Sequence, residues 1–212
     1  MSDLKTLADA IIKSDAVTAK EQTQKLLDEG TPAQHILDVG LITPMDEVGE
    51  RFSKGAMFVP QMLRSAKTMQ ACMEIIKPHF QEGDVSFKGK VIIGTVKGDL
   101  HDIGKNLVAM MLEGAGFDVV DLGVDVSPQR FVDEVKSEKA DVLAMSALLS
   151  TTMPAMRETV GVIEAGGQRN TIKIIVGGAP VTATYAEEIQ CDGYAPDAGS
   201  CVTEVKKLLG VQ

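Results

Sequence analysis

The residues best suited to chemistry lie in one short run, Gly98-Asp99-Leu100-His101-Asp102-Ile103-Gly104. It follows the β-branched stretch Val91 to Val96, so we expect it to form the first loop at the carboxyl end of a sheet, where open α/β sheets bind ligands. There His101 can bind a metal through one ring nitrogen while Asp99 accepts a hydrogen bond from the other, which fixes the tautomer. Without further context, an Asp-x-His pair is more often a solvated turn than a metal site.

The backbone beside His101 suits a large ligand. A helix that begins near Asp102 or Ile103 presents free amides, and Gly104 lets a bulky group come close to the chain. A phosphate loop is the alternative, because Gly98 to Lys105 superficially resembles G-x-x-x-x-G-K-[ST]. The glycine spacing is wrong for it, Asn106 stands where the magnesium-binding hydroxyl should be, and the neighbouring aspartates would repel a phosphate.

The histidine count limits the kind of metal site. The chain has three histidines, and His35 and His79 fall in the N-terminal half, so a zinc or iron site with several histidines is hard to assemble. A single protein ligand suits a metal that its own macrocycle already holds, since the protein then supplies only an axial bond.

The second half of the chain carries the pattern of a parallel sheet. Short β-branched runs alternate with helical stretches of roughly ten to fifteen residues, and Ser127-Pro128 and Thr152-Met153-Pro154 are possible helix starts. The expected strands are Val91 to Val96, Val119 to Leu122, Val142 to Met145, Ile172 to Val176 and a short one near Tyr194, before a last helix from Ala198 to Leu209. We predict a doubly wound, Rossmann-like domain over residues 85–212.

The first half has helical periodicity instead. Its stripes predict a first helix that carries Leu4 and a second from about Asp15 to Glu29. A third opens at Thr31-Pro32 and carries apolar residues from Ile36 to Phe52, with Pro44 as a kink or the start of a new turn, and Pro60 opens a fourth. We predict a four-helix bundle over residues 1–84, with the domain boundary at the polar break Glu82-Gly83-Asp84.

Composition narrows the function class. A formal charge of -9 argues against binding to a phosphate backbone, so nucleic acid is not an expected partner. No apolar run approaches the ~20 residues of a membrane span, and the start, Met1-Ser2-Asp3-Leu4-Lys5, does not look like a signal peptide. Three widely spaced cysteines argue against a disulfide framework. We expect a cytoplasmic protein that does not bind a membrane.

Three elements of the chain resemble the signature of cobalamin-binding domains. Asp99 to Gly104 is similar to D-x-H-x-x-G, Ser146-Ala147-Leu148 to S-x-L, and Gly177-Gly178 to G-G, in the same order. In the helical half, Met45 to Phe52 and Gly55 to Gln61 resemble the cap bundle of methionine synthase and of the small corrinoid proteins that serve anaerobic methyltransferases. The size and the two-domain layout resemble the latter most closely.

The resemblance implies that cobalamin binds with its dimethylbenzimidazole detached from cobalt and with His101 in its place. Ser146, Leu148 and Gly177-Gly178 would line the slot for the detached tail. Taken alone, Gly177-Gly178 is equally well explained by a tight turn before Pro180, and Ser146 by a hydroxyl bonded to nearby backbone.

The family's third relay member corresponds to Thr152. Its hydroxyl would act with Asp99 on the proton that His101 gains each time it leaves the cobalt. Capping the helix at Pro154 is its other expected role, and Ser150 and Thr151 are possible substitutes.

Phe58 and Met62 would lie over the upper face of the corrin and shield the bound methyl group from water. For Met62 the bundle core is the alternative. A mobile hinge near Glu82 to Lys90 would let the cap move aside for partner enzymes.

The resemblance implies a methyl carrier that works between a substrate-specific methyltransferase and a second methyltransferase to tetrahydrofolate or coenzyme M, with a reductive activase. Methylamines, betaines, methanol and methoxyaromatics remain open as donors. The alternatives are a small subunit of an adenosylcobalamin mutase, a cobalamin-dependent regulator, and a flavodoxin-like domain without cobalamin. A mutase subunit would leave the helical bundle unexplained. A regulator would need an effector domain, for which no segment is left over. A flavodoxin-like domain would leave both the bundle and the three matched elements unexplained.

Overall fold

The computed structural model describes residues 2–80 and 87–211. The chain divides into two compact units, one formed by 1–87 together with 113–116 and the other by 88–112 together with 117–212. The predicted domain boundary at 82–84 lies outside the described residues, as does most of the predicted hinge from Glu82 to Lys90. Both stay predictions.

The N-terminal unit is helical. Its longer helices are α1 (Ser2–Lys13), α2 (Ala16–Asp28), α4 (Thr43–Ser53) and α5 (Val59–Ile76). Its shorter elements are α3 (Ala33–His35), a π-helical segment (Ile36–Ile42) and a 3-10 turn (Lys77–His79). Asp15 caps α2, because its carboxylate accepts a hydrogen bond from the backbone N–H of Thr18. The helical half predicted from the sequence is confirmed.

The predicted third helix proves to be three consecutive helical segments. Its middle part, Ile36–Ile42, has the wider π-helical turn, and most of that segment is buried. At Gly40 an added Cβ would lie 2.7 Å from Leu7 Cδ2, so the absent side chain lets α1 pack closely against this turn. Pro44 lies in the first turn of α4, where a missing N–H costs no hydrogen bond.

The C-terminal unit is a parallel α/β domain. Within the described residues, its strands are β1 (Lys90–Thr95), β2 (Asp118–Asp121), β3 (Val142–Ser146), β4 (Lys173–Gly177) and β5 (Gly193–Ala195), in the spatial order β2-β1-β3-β4-β5. Every neighbouring pair is parallel. The doubly wound sheet predicted from the sequence is confirmed.

Helices connect the strands and cover an aliphatic core. They are α6 (Ile103–Gly114), α7 (Pro128–Glu138), α8 (Pro154–Ala165), α9 (Ala183–Glu188) and α10 (Ala198–Leu209). Ser127 caps α7 as predicted, since its hydroxyl accepts a hydrogen bond from the backbone N–H of Arg130. The three central strands, β1, β3 and β4, are buried along most of their length and are rich in aliphatic residues, as expected for a parallel sheet that is covered on both faces.

The strand order creates one place where a ligand can enter. β1 lies between β2 and β3, so the connections that leave β1 and β3 run in opposite directions along the sheet. Such a switch point opens a crevice beyond the carboxyl ends of the strands. The loop after β1 carries Asp99 and His101, and the loop after β3 carries Leu148 and Thr152.

Candidate functional site

Asp99 and His101 form a hydrogen-bonded pair on the loop after β1. Nδ1 of His101 lies 2.7 Å from Oδ1 of Asp99, and the backbone N–H of His101 donates to the same oxygen over 3.1 Å. Because an ionised carboxylate only accepts hydrogen bonds, Nδ1 is the donor, and Nε2 of the neutral ring keeps a free lone pair. Half of the His101 side-chain surface is exposed. The ring can therefore offer Nε2 to a metal.

Asp99 itself is completely buried and richly hydrogen-bonded. Its Oδ2 accepts from the backbone N–H of Leu148 over 2.7 Å, from that of Leu149 over 3.3 Å, and from Oγ1 of Thr152 over 2.8 Å. Burial raises the pKa of Asp99, but hydrogen bonds from Leu148, His101 and Thr152 outweigh it and hold the pKa well below its ordinary value. The carboxylate is therefore a charged acceptor for the imidazole near neutral pH.

Thr152 meets Asp99 rather than capping a helix. Helix α8 begins at Pro154 with Met153 as its N-cap residue and without a side-chain cap bond, so the predicted capping role is wrong. The buried Thr152 hydroxyl faces Asp99 and also lies 2.8 Å from the carbonyl oxygen of Leu149. Its neighbours Ser150 and Thr151 are exposed. Among the three hydroxyl residues weighed for this contact, Thr152 is the one bonded to the carboxylate.

Ser146 and Leu148 occupy the end of β3. Ser146 is its last residue and pairs with Thr95 across the sheet. Leu148 acts on Asp99 through its backbone, while its side chain is exposed. The S-x-L element therefore supplies a hydrogen-bond donor to the buried carboxylate as well as an apolar side chain at the surface.

Gly177 and Gly178 are required by the chain itself. A Cβ on Gly177 would lie 2.7 Å from the carbonyl oxygen of Ala195, and one on Gly178 would lie 1.9 Å from that of Ala147. Gly178 also has φ +128, which disfavours other residues. These contacts match the tight-turn explanation, and a role in holding a ligand stays a prediction.

The surface around His101 is apolar and open. Leu100 and Ile103 are 72% and 84% exposed, and Leu148 and Leu149 are also exposed. A Cβ on Gly104 would meet nothing within 4 Å among the described residues, so close packing against them does not explain this glycine. Exposed leucines and isoleucine around one free imidazole nitrogen fit a large, partly apolar ligand with a metal at its centre.

The start of helix α6 is fixed by polar side chains. Asp102 accepts a hydrogen bond from the side chain of Asn106 over 3.1 Å. The buried Lys105 forms an ion pair with Asp121 at the end of β2. These contacts hold the helix, and with it Ile103 and Gly104, in a defined place beside the loop.

Phe58 and Met62 belong to the helical unit and differ in exposure. Phe58 precedes α5 and is 73% exposed, whereas Met62 is fully buried. The burial of Met62 favours the alternative prediction, in which it belongs to the core of the bundle. Phe58 remains a candidate for shielding a ligand.

Sequence reasoning missed two residues that hold the loop. The buried Thr95 donates from Oγ1 to the carbonyl oxygen of His101 over 2.8 Å. Asp125, at φ +53, accepts from the backbone N–H of Gly98 over 2.7 Å. An aspartate in the left-handed region and a threonine that ends an aliphatic strand are visible signals, but their partners are not local in sequence.

A multi-ligand protein metal site is not found in the part of the chain that the structure describes, where no three His, Cys, Asp or Glu side chains gather to hold an ion. One imidazole is compatible with a metal that arrives inside a macrocycle. The residues present fit cobalamin, with His101 as the donor, an apolar rim and an open approach at Gly104.

Comparison with known families agrees with this chemistry. Residues 89–201 match a B12 binding domain family, and residues 3–77 match a second family described as a B12 binding domain. The first covers the sheet and the Asp99–His101 loop, and the second covers most of the helical unit. Fold and site together define a B12-binding protein.

The relatives are corrinoid proteins. Dimethylamine corrinoid protein 1 of Methanosarcina acetivorans is 41% identical over 97% of each chain, and trimethylamine corrinoid protein 2 of Methanosarcina mazei is 41% identical over 95% of this chain and 94% of that one. A cobalamin-binding protein from Desulfitobacterium hafniense is 32% identical, with a TM-score of 0.78 over 97% of this chain and 98% of that one. The methanol:cobalamin methyltransferase complex MtaBC of Methanosarcina barkeri matches at 27% identity and a TM-score of 0.91, over 100% of this chain and 81% of that one.

The chain therefore belongs to the B12-binding corrinoid proteins. Cobalamin is its cofactor, as predicted from the sequence. None of the described helices is both long enough and apolar enough to cross a bilayer.

Proposed function

We propose that His101 is the protein ligand to the cobalt of cobalamin, and that the chain passes a methyl group from a substrate-specific methyltransferase to a second one that serves tetrahydrofolate or coenzyme M. The observation that carries the proposal is the 2.7 Å contact between His101 Nδ1 and Asp99 Oδ1, which leaves Nε2 free on a half-exposed ring. When bound, cobalamin supplies the cobalt that accepts a methyl group and releases it again.

Asp99 orients the imidazole and strengthens it as a donor. Its low pKa keeps the carboxylate charged near neutral pH, so it accepts a hydrogen bond from Nδ1–H of His101. His101 would hold the cobalt through Nε2, and the adjacent charge of Asp99 would stabilise a proton on the ring whenever that nitrogen is free.

Thr152 holds the carboxylate in place for this task. Its hydroxyl has one proton and lies 2.8 Å both from Asp99 Oδ2 and from the carbonyl oxygen of Leu149. The proton can turn from one acceptor to the other, which lets the hydroxyl follow changes in the charge of the Asp99–His101 pair.

The remaining predicted residues form the surroundings of the cofactor. Ser146, Leu148 and Gly177-Gly178 line the slot for the detached nucleotide tail. The start of α6, with Asp102, Ile103 and Gly104, lies beside the metal ligand. Phe58, exposed at the start of α5 in the helical unit, is proposed to shield the bound methyl group from water.

We propose a methylated amine as the donor. The relatives at about 40% identity include proteins named for dimethylamine and trimethylamine, whereas the methanol complex is a 27% match. A reductive activase would restore the cofactor after accidental oxidation. We place the protein in the cytoplasm, because its three cysteines, Cys72, Cys191 and Cys201, are free thiols.

A transfer assay tests the function. Cobalamin-loaded protein is reduced and offered to amine-specific and methanol-specific methyltransferases with their donors, and methylation is followed by absorbance. We expect methylation with an amine and its enzyme, and much slower methylation for His101→Ala. His79→Ala is the matched control, since His79 is exposed and lies in the helical unit. Transfer from methanol alone would overturn the donor assignment, and equal rates for His101→Ala would overturn the role of His101.

A further inference from the structure

Thr95 connects the central strand to the histidine loop. It is the last residue of β1 and is fully buried, and its Oγ1 donates to the backbone carbonyl oxygen of His101 over 2.8 Å. Between Lys90 and Thr95, β1 reads Val-Ile-Ile-Gly, so this hydroxyl follows an apolar stretch. A valine would fill the same volume and leave the His101 carbonyl without this donor.

The strand end provides a rigid anchor for this bond. The backbone N–H of Thr95 donates to the carbonyl oxygen of Gly123 over 2.9 Å, and its carbonyl oxygen accepts from Val126 over 3.0 Å. On its other side Thr95 pairs with Ser146 of β3. The hydroxyl is thus attached to backbone that is fixed on both sides of the switch point.

His101 is held at three points by two residues. Asp99 accepts from its backbone N–H and from Nδ1 of its ring, and Thr95 donates to its carbonyl. The two Asp99 bonds alone leave the peptide after His101 able to rotate. Fixing the carbonyl as well holds the backbone of His101, and with it the base of the imidazole side chain, in one place.

A buried threonine often satisfies its hydroxyl locally. Thr159 does so, since it is equally buried and its Oγ1 donates over 2.8 Å to the carbonyl of Ala155, one turn earlier in the same helix. The bond of Thr95 differs because it leaves the strand and ends on the residue that carries the free nitrogen. Thr159 is therefore a matched control with the same burial and bond length.

We propose that Thr95 is a positioning residue that aims His101 at the cobalt. The inference rests on the proposed role of His101 as the metal ligand. Removing the hydroxyl should lower the share of molecules in which the imidazole is bound to cobalt, while leaving the fold and the Asp99–His101 pair in place.

The test compares Thr95→Val, Thr95→Ser and Thr159→Val in the full chain. Each variant is loaded with cob(II)alamin, and the ratio of imidazole-bound to unbound cobalt is read from the nitrogen splitting in electron paramagnetic resonance spectra. We expect the ratio to fall about tenfold in Thr95→Val, the effect of losing roughly one hydrogen bond. In Thr95→Ser, which keeps the hydroxyl, the ratio should stay within about twofold of the wild-type ratio. In Thr159→Val the ratio should equal that of wild type.

A second measurement covers variants that fold poorly. Urea unfolding of the cofactor-free proteins identifies them, and if Thr95→Val is unfolded, Thr95→Ala against Thr95→Ser carries the comparison. Equal ratios in wild type and in a folded variant without the hydroxyl would overturn the inference and leave His101 as ligand. Loss of the splitting in wild type itself would instead overturn the proposed function.

Discussion

Thr152 Oγ1 lies 2.8 Å from Asp99 Oδ2 and joins the loop after β3 to the loop that carries His101. The backbone N–H of Leu148 reaches the same oxygen over 2.7 Å. The two loops on either side of the switch point therefore converge on one buried carboxylate. This convergence makes the position of His101 a property of the sheet and not of a single loop.

Replacing Asp99 by Asn should weaken both the fold and the site. An amide cannot accept all the hydrogen bonds that the carboxylate accepts from His101, Leu148 and Thr152. We expect about 2 to 3 kcal/mol lower free energy of unfolding for the cofactor-free protein at neutral pH, measured in urea. Asp133→Asn is the control, because that exposed side chain bonds only to Gln129 among its described partners. Equal losses in the two variants would contradict this account.

The stability that Asp99 contributes should depend on pH. Its pKa is lowered in the folded protein, so the contribution is fully present above the unfolded value of about 3.9 and is lost as the pH falls toward the folded value. The difference in unfolding free energy between wild type and Asp99→Asn should therefore shrink as the pH falls below about 4. A difference that grows below about pH 4 would show that the folded-state pKa of Asp99 is raised.

Thr152→Val should separate the hydroxyl from the packing. Valine keeps the buried shape but leaves Asp99 Oδ2 without one donor, and we expect about 1 to 2 kcal/mol of lost stability in urea unfolding of the cofactor-free protein. Thr152→Ser should recover most of it. Ser150→Ala, at an exposed neighbouring hydroxyl, should change little. If Thr152→Ser loses as much unfolding free energy as Thr152→Val, the hydroxyl is not the source of the stabilisation.

Two glycines of the site should respond in opposite ways. Gly178→Ala brings a methyl group to 1.9 Å from the Ala147 carbonyl and should destabilise the cofactor-free protein by at least about 3 kcal/mol. Gly104→Ala meets no atom within 4 Å in the first turn of α6 and should stabilise it by roughly 0.5 to 1 kcal/mol, yet bind cobalamin more weakly. Calorimetry measures the stability of both variants, and titration with cobalamin measures their affinity for the cofactor. Unchanged cobalamin affinity in Gly104→Ala would contradict the proposed approach of the ligand.

The sequence predicted the sheet well because its strands are buried and strongly apolar. The expected run Val91 to Val96 and the observed strand Lys90–Thr95 differ by one residue at each end. The π-helical turn Ile36–Ile42 was not predicted, because a 3.6-residue period indicates a helix but does not indicate where a turn widens.

In the site, the pairing of Asp99 with His101 followed from their spacing of two residues. The bonds of Asp99 to Leu148 and Thr152 depend on strand order, which local pattern does not contain, and Thr152 was connected to Asp99 only through the resemblance to a family. The role of Thr95 was not predicted either, because its contact with the His101 carbonyl depends on the path of the loop, which local pattern does not contain.

The most direct test of the central claim is the electron paramagnetic resonance spectrum of the protein loaded with cob(II)alamin. If His101 Nε2 is the ligand, the spectrum should show splitting by one imidazole nitrogen, and labelling histidine with nitrogen-15 should change that splitting from a triplet to a doublet. His101→Ala should lose it, and His79→Ala should keep it. A splitting that ignores the histidine label or survives in His101→Ala would contradict the account.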